Sequence, residues 1–257
     1  VGCGAGLTGI DAGFDPDADE NLVAGTQAGA NLDGTYACFN ILLGSCAGKC
    51  ITNSAENIAI GCNTMCALQG GGMRNIAIGQ EAGQHLTGGD DNLFIGSFAG
   101  HCVTTSGCNT AVGRYAGACV QTGEYNTFMG HSAGFGVSCL GNGSYNTGLG
   151  KNALYSIQGG DCNTAVGYNA GQCTTSGCSN VFIGSYAGKQ ITSSHGNIAI
   201  GQCVLCGLTS GAGCNIAIGH NVMCVASGAT CNIGLGMMAG RCLTSGDTNV
   251  FLGHYAG

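Results

Sequence analysis

The chain has 257 residues, of which 51 are Gly, 19 are Cys, one is Pro and none is Trp; only 7% are charged and the formal net charge is −7. Glycine near one residue in five without a Gly-X-Y triplet excludes collagen, and 44% hydrophobic content with so modest a charge argues against disorder. No apolar run reaches the ~20 residues of a membrane-spanning helix, and six scattered Lys and Arg give no footprint for nucleic acid.

Taken in order, the chain is one repeat. An Asn that opens each copy recurs at 21, 40, 57, 75, 92, 109, 126, 146, 163, 180, 197, 215, 232 and 249, with nine of the thirteen intervals equal to 17 residues. With Val1–Gly6 as the end of an earlier copy, about fifteen copies are represented. Numbering each copy from its Asn, position five is always Gly, position eight is usually Ala and position nine usually Gly, as in Asn109-Thr110-Ala111-Val112-Gly113-Arg114-Tyr115-Ala116-Gly117. Seventeen residues are too few for a helical hairpin repeat of ~33, and recurrent Gly and β-branched residues disfavour helix. The expected fold is all-β: a parallel β-solenoid of about fifteen ~17-residue coils, on the order of 70 Å long at ~4.8 Å per coil. Residues 1–257 form a single repeat solenoid. Both ends fall within repeats, with no starting Met and no signal-peptide pattern, so the chain is expected to be a segment of a longer fibre chain.

Each repeated residue has an expected task. Position four, aliphatic in nearly every copy (Ile60, Ile78, Val112, Met129, Leu252), reads as the interior row, with position two on the same side because side chains alternate along a strand. Gly at five supplies a corner that a Cβ would resist. The Asn residues (Asn57, Asn75, Asn92, Asn109, Asn126, Asn163, Asn180, Asn197, Asn215, Asn232 and Asn249) are expected in the left-handed region and stacked as an amide ladder. Position three should then face outward, yet it is never charged and is Phe at 94, 128, 182 and 251. A strand apolar on both faces is buried on both, so Phe94, Phe128, Phe182 and Phe251 read as interchain packing residues. The Ser/Thr/Gly-rich second half, such as Val103-Thr104-Thr105-Ser106-Gly107, reads as the solvent-facing turn. Four copies lack the Ala-Gly pair, and a locally different corner is expected there.

The Asn-Thr-Ala-Val-Gly-Tyr-Asn-Ala-Gly unit with its Thr-Ser-Gly turn resembles repeats in tail fibres of phages and large viruses, which commonly precede a self-cleaving chaperone domain. The Ala-Ile-Gly core is similar to the head repeats of trimeric autotransporter adhesins. The resemblance spans essentially the whole chain and implies a β-roll assembled as a homotrimer. The 19 cysteines depart from both families.

Those cysteines flank the variable turn. Cys102 with Cys108, Cys173 with Cys178, Cys206 with Cys214 and Cys224 with Cys231 suit staples within one loop, while Cys50–Cys66 and Cys102–Cys119 suit rungs between coils about 5 Å apart; Cys242 shares the same register. Disulfides imply an oxidising, extracellular setting. Buried thiols acting as small hydrophobes are the other reading, and zinc a third, without paired knuckles to support it. Asp15, Asp17 and Asp19 alternate in an acidic loop that suits solvent or calcium, and no other cofactor is expected. Asn142-Gly143-Ser144 is a candidate glycosylation site. No convergent polar site points to an enzyme. The expected function is structural: the rigid shaft of an extracellular or virion-surface fibre, partnered by copies of itself as a trimer or an end-to-end filament. The alternative is an adhesin or receptor-binding module contacting cell-surface glycans.

Overall fold

The computed structural model describes residues 17, 19–33, 36–209 and 211–257. Fourteen strands of three residues each, from β1 (Leu22–Ala24) to β14 (Val250–Leu252), form one parallel sheet in strict sequence order, with no helix among the described residues. Each strand pairs in register with the next, as Thr110 with Thr127, Ala111 with Phe128 and Val112 with Met129. The fold is a parallel β-solenoid of thirteen turns between fourteen strands, slightly fewer than the fifteen copies counted, because Val1–Gly6 lies outside the described residues. Thirteen steps of ~4.8 Å make the sheet about 60 Å long.

The faces of the coil are the reverse of the expected ones. In twelve strands the middle residue, position three, is buried and its neighbours at two and four are half-buried or exposed; only the two terminal strands depart from this. Phe94, Phe128 and Phe182 are almost wholly enclosed by their own chain, and Phe251 packs against the same core. None of the four is therefore an interchain residue. The reason is the Asn. It is buried at position one, and alternation along the strand then puts position three inward and positions two and four outward. The large aliphatics face out because a narrow coil has room for one inward side chain per strand, and that place goes to Ala, Gly, Leu or Phe.

A further interior row lies at position twelve, where Ile51, Leu68, Leu86, Val103, Val120, Ile157, Ile191 and Leu208 are buried. Val103 belongs to the stretch expected to face solvent; it is instead the floor of that turn.

Positions three and nine trade volume. Where three is Phe, nine is Gly: a Cβ on Gly100 would lie 2.6 Å from the ring of Phe94. The four copies without Ala-Gly place Met65, Leu154, Leu205 and Met223 at nine, opposite Ala59, Gly148, Ala199 and Ala217. These four side chains are fully buried, and their backbones keep the left-handed φ of 44 to 51° that Gly adopts elsewhere. The corner is thus unchanged, and only the source of the filling differs. Close packing of the interior explains the trade.

The Asn row is a continuous ladder. The Asn180 backbone N–H and Nδ2 both donate to Oδ1 of Asn163, at 3.1 and 3.0 Å, while Asn163 does the same to Asn146. Nδ2 of Asn163 also donates across the coil to the Gly177 carbonyl at 2.7 Å, closing the ring on itself. The left-handed residue is the one before each Asn, such as Cys108, Cys162 or Tyr125, and the Asn itself is not in that region.

Two pairs of substitutions test the ladder and the corner. Asn163→Ala leaves both Asn180 donors and the Gly177 carbonyl without their partner inside the rod, while Asn146 Oδ1 keeps the backbone N–H of residue 163, so it should destabilise by about 3 kcal/mol or more, read as a lowered thermal midpoint; the exposed Asn53→Ala should fall within about 0.5 kcal/mol. Gly113→Ala combines φ of +131° with a Cβ 2.6 Å from the Gly130 carbonyl oxygen, and should cost about 3 kcal/mol or more. Gly71→Ala, at φ +81° with no atom within 4 Å, should cost only about 1 kcal/mol.

Candidate functional site: a three-cysteine cluster

All eighteen described cysteines are free thiols. None of the expected pairs is bonded, and the stacking shows why the loop staples do not form. The thiols at positions ten and eleven neighbour their counterparts in adjacent coils. Cys66 feels Cys50 and Cys46 of the preceding coil, and Cys206 feels Cys224 of the next coil and Cys203 of its own. Burial is the main cause pushing Cys66 up, and the same cause takes Cys206 up to about 11. Thiols just before the next Asn look elsewhere: Cys108 acts on Tyr125, and Cys178 Sγ accepts from the Asp161 N–H and donates to the Ser176 carbonyl.

One group of thiols does converge. Cys102 and Cys119 occupy position eleven of successive coils, and Cys139 joins them from the one copy that is 20 residues long. Its Sγ lies 2.6 Å from Cys102 Sγ and 3.0 Å from Cys119 Sγ. All three sulfurs fall within 4.8 Å of one another, and they are the one potential metal-holding group among the described residues. The extra residues of the long copy form an exposed loop held at both ends. The Gly136 N–H donates to the Tyr155 carbonyl at 2.8 Å, while the Gly141 N–H donates to Cys119 and its carbonyl accepts from Thr122. Val120 and Gly141 form an isolated parallel bridge.

The surroundings polarise the cluster. His101 Nδ1 is 3.4 Å from Cys102 Sγ, and its Nε2 is 3.4 Å from Oε2 of Glu81. Hydrogen bonding with Cys119 is the main influence holding the Cys102 thiol low, at about 5; burial opposes it, and Cys139 and His101 assist. Cys119 is driven up in turn, first by its bond to Cys102 and then by burial, and burial raises Cys139. A Cys102 thiol held low beside two thiols pushed up can attack a disulfide, bind a soft metal ion, or be oxidised. An open groove of about 360 Å³ borders it, lined by His85, Thr87, Cys102, Thr104, Gln121 and Cys139. Sequence reading placed Cys102 and Cys119 correctly side by side but missed Cys139, His101 and Glu81. The available signal was a Cys in the longest insertion between two full copies.

The other candidate residues separate. Asn142 is exposed, as a glycan acceptor must be. Asp15 lies outside the described residues, and Asp17 has another task. Its Oδ1 accepts from the Asn21 backbone N–H at 2.8 Å, from the Asp19 N–H and from Asn21 Nδ2, where the Oδ1 of a preceding Asn would otherwise stand. Asp17 thus ends the ladder, and a carboxylate occupied by three donors is a poor start for a calcium site.

The Asn21 N–H is the main cause holding the Asp17 carboxyl below its ordinary 3.8. A lowered folded value means the contact stabilises fully above that ordinary value and is lost as pH falls through the folded one. The Asn21 amide resonance should therefore titrate below 3.8, and Asp17→Asn should abolish the titration while keeping the first rung. An unchanged titration in Asp17→Asn would refute the cap.

No protein-family model, curated protein or solved structure matches the chain.

Proposed function

We propose that the protein is the rigid shaft of an extracellular or virion-surface fibre, assembled from copies of this chain packed side by side as a parallel trimer. The observation that carries the reading is the outward face of the sheet. Positions two and four present Ile58 and Ile60, Ile76 and Ile78, Ile198 and Ile200, and Ile216 and Ile218 in unbroken register. Thr110, Thr127, Thr147 and Thr164 interrupt one row only; the other continues as Val112, Met129, Leu149 and Val166. Met129, Ile183, Ile218 and Leu235 remain 36–45% exposed.

A stripe about 60 Å long and roughly 10 Å wide is on the order of 600 Å². That is the upper end of what a monomer leaves uncovered and close to the ~800 Å² per partner of a stable interface. All-parallel sheets are ordinarily covered on both faces. A regular stripe running the length of a regular rod is best covered by a second rod of the same pitch, which favours a copy of the chain over an irregular partner. Positions two and four, and not position three, thus form the apolar face that a partner would cover. The resemblance to trimeric β-rolls supplies the number three.

The shaft reading also accounts for the aromatics. Phe98, Tyr115, Phe135 and Tyr155 form one continuous run along the rod, Phe98 on Tyr115 and Phe135 on Tyr155 stacked at 5.0 Å and Tyr115 meeting Phe135 edge-on at 6.0 Å, while Tyr125 stacks on Tyr145 at 5.1 Å; the rings follow the coil spacing.

Sedimentation and electron microscopy of the purified chain should show trimers or longer rods. Ile183→Lys with Ile218→Lys, both outward, should release monomers whose circular dichroism is unchanged. A monodisperse monomer of the unsubstituted chain at micromolar concentration would sink the proposal.

A further inference from the structure

The three-cysteine cluster has a property that no single structural bridge would have: one sulfur with two partners. Cys139 Sγ at 2.6 Å from Cys102 and 3.0 Å from Cys119 is closer to each than unbonded sulfurs ordinarily approach. It is also closer than metal ligation would place them, since two thiolates on a tetrahedral zinc stand ~3.8 Å apart at ~2.3 Å bond lengths. A disulfide at about 2.05 Å needs an inward shift of roughly half an ångström for Cys102 and one for Cys119. Cys139 is exposed, on a loop whose two ends are pinned and whose tip is not restrained by a strand. Both closures are within its reach, and they exclude each other.

We propose that Cys139 is the shared partner of an exchangeable disulfide, bonding Cys102 or Cys119 in turn and always leaving the third thiol free. Formation balances with a low-molecular-weight disulfide as oxidant. Two protein thiols and one RSSR give one protein S–S bond and two RSH, the protein thiols losing two electrons and two protons. Exchange needs no further oxidant. The Cys119 thiol gives its proton to solvent, the resulting thiolate attacks Cys139 Sγ, the Cys102–Cys139 bond breaks, and Cys102 departs as thiolate. His101, oriented by Glu81, stands beside the Cys102 sulfur to receive that negative charge.

The consequence is mechanical. Cys102, Cys119 and Cys139 lie in three successive coils, the copies beginning at Asn92, Asn109 and Asn126. The bond spans either 37 or 20 residues of chain. The longest loop between full copies becomes a tie across the rod that can shift by one coil without being lost. Because the cluster lies away from the outward strand face, the inference is independent of the oligomer.

The full chain, oxidised with glutathione disulfide, acid-quenched and alkylated, tests this by peptide mapping. Cleavage after Arg114 and Glu124 puts each of the three cysteines on its own peptide, and fragmentation separates Cys102 from Cys108. Both Cys102–Cys139 and Cys119–Cys139 bridges are expected in the unsubstituted chain. Cys102→Ser should convert the whole population to Cys119–Cys139, Cys119→Ser to Cys102–Cys139, and Cys139→Ser should leave both others alkylated. A Cys102–Cys119 bridge with Cys139 free, a single bridge only, three alkylated thiols after oxidation, or one equivalent of zinc shielding all three in the reduced chain would each overturn it.

Discussion

Everything in this rod depends on an amide that accepts twice. Each ladder Asn offers one Oδ1 to the backbone N–H of the next Asn and, at every step but Asn109, to its side chain also, while Nδ2 reaches across the coil to a carbonyl fourteen to seventeen residues further on. Buried polar groups must be paired, and the penalty for leaving them unpaired is larger than the net gain from pairing them. An insertion is therefore tolerated only where it leaves the ladder in register. The 18-, 19- and 20-residue copies all place their extra residues after position five, beyond the strand, and every Asn still meets its neighbour. The ladder is what keeps unequal copies stacked as equal coils.

From that constraint the interior follows. With Asn inward, position three must be inward too, and the small cross-section left between rows one, three, eight and twelve admits one large group per coil. Phe94, Phe128 and Phe182 supply it from the strand; Met65, Leu154, Leu205 and Met223 supply it from the corner. A small void of about 10 Å³ beside Ala111 and Gly117, between the Phe94 and Phe128 coils, marks where neither source is used. The bulk of the aliphatic side chains is displaced to the outside, where only another surface can cover it. The core packing and the proposed assembly thus rest on one parity.

The thiols show how much a regular scaffold can do with one irregularity. Cysteines in adjacent coils stand beside each other as free thiols. Among the described residues three sulfurs converge at one place, where the loop of the copy beginning at Asn126 leaves the register and brings Cys139 to within 3.0 Å of Cys102 and Cys119.

Much of the architecture was legible in the sequence: the period, the parallel solenoid, the glycine corner and the Asn row. These are set by local residues repeated at fixed spacing, and local geometry is what a repeat records. The direction of the strand faces is not legible there, because Ile and Val at positions two and four look like a core until the parity imposed by a buried Asn is known. Position twelve was lost within a polar turn for the same reason: Val103 and Leu208 stand alone among Ser, Thr and Gly, and only the stacked coil shows them closing the interior. Which thiols meet depended on a loop folding back across two coils, a contact between residues 37 apart that no periodicity encodes. The sequence by itself therefore determined the coil and its repeat, through propensity and spacing. The tertiary structure alone decided which side of the strand is inside and where Cys139 comes to rest, because both depend on what each coil meets in the next.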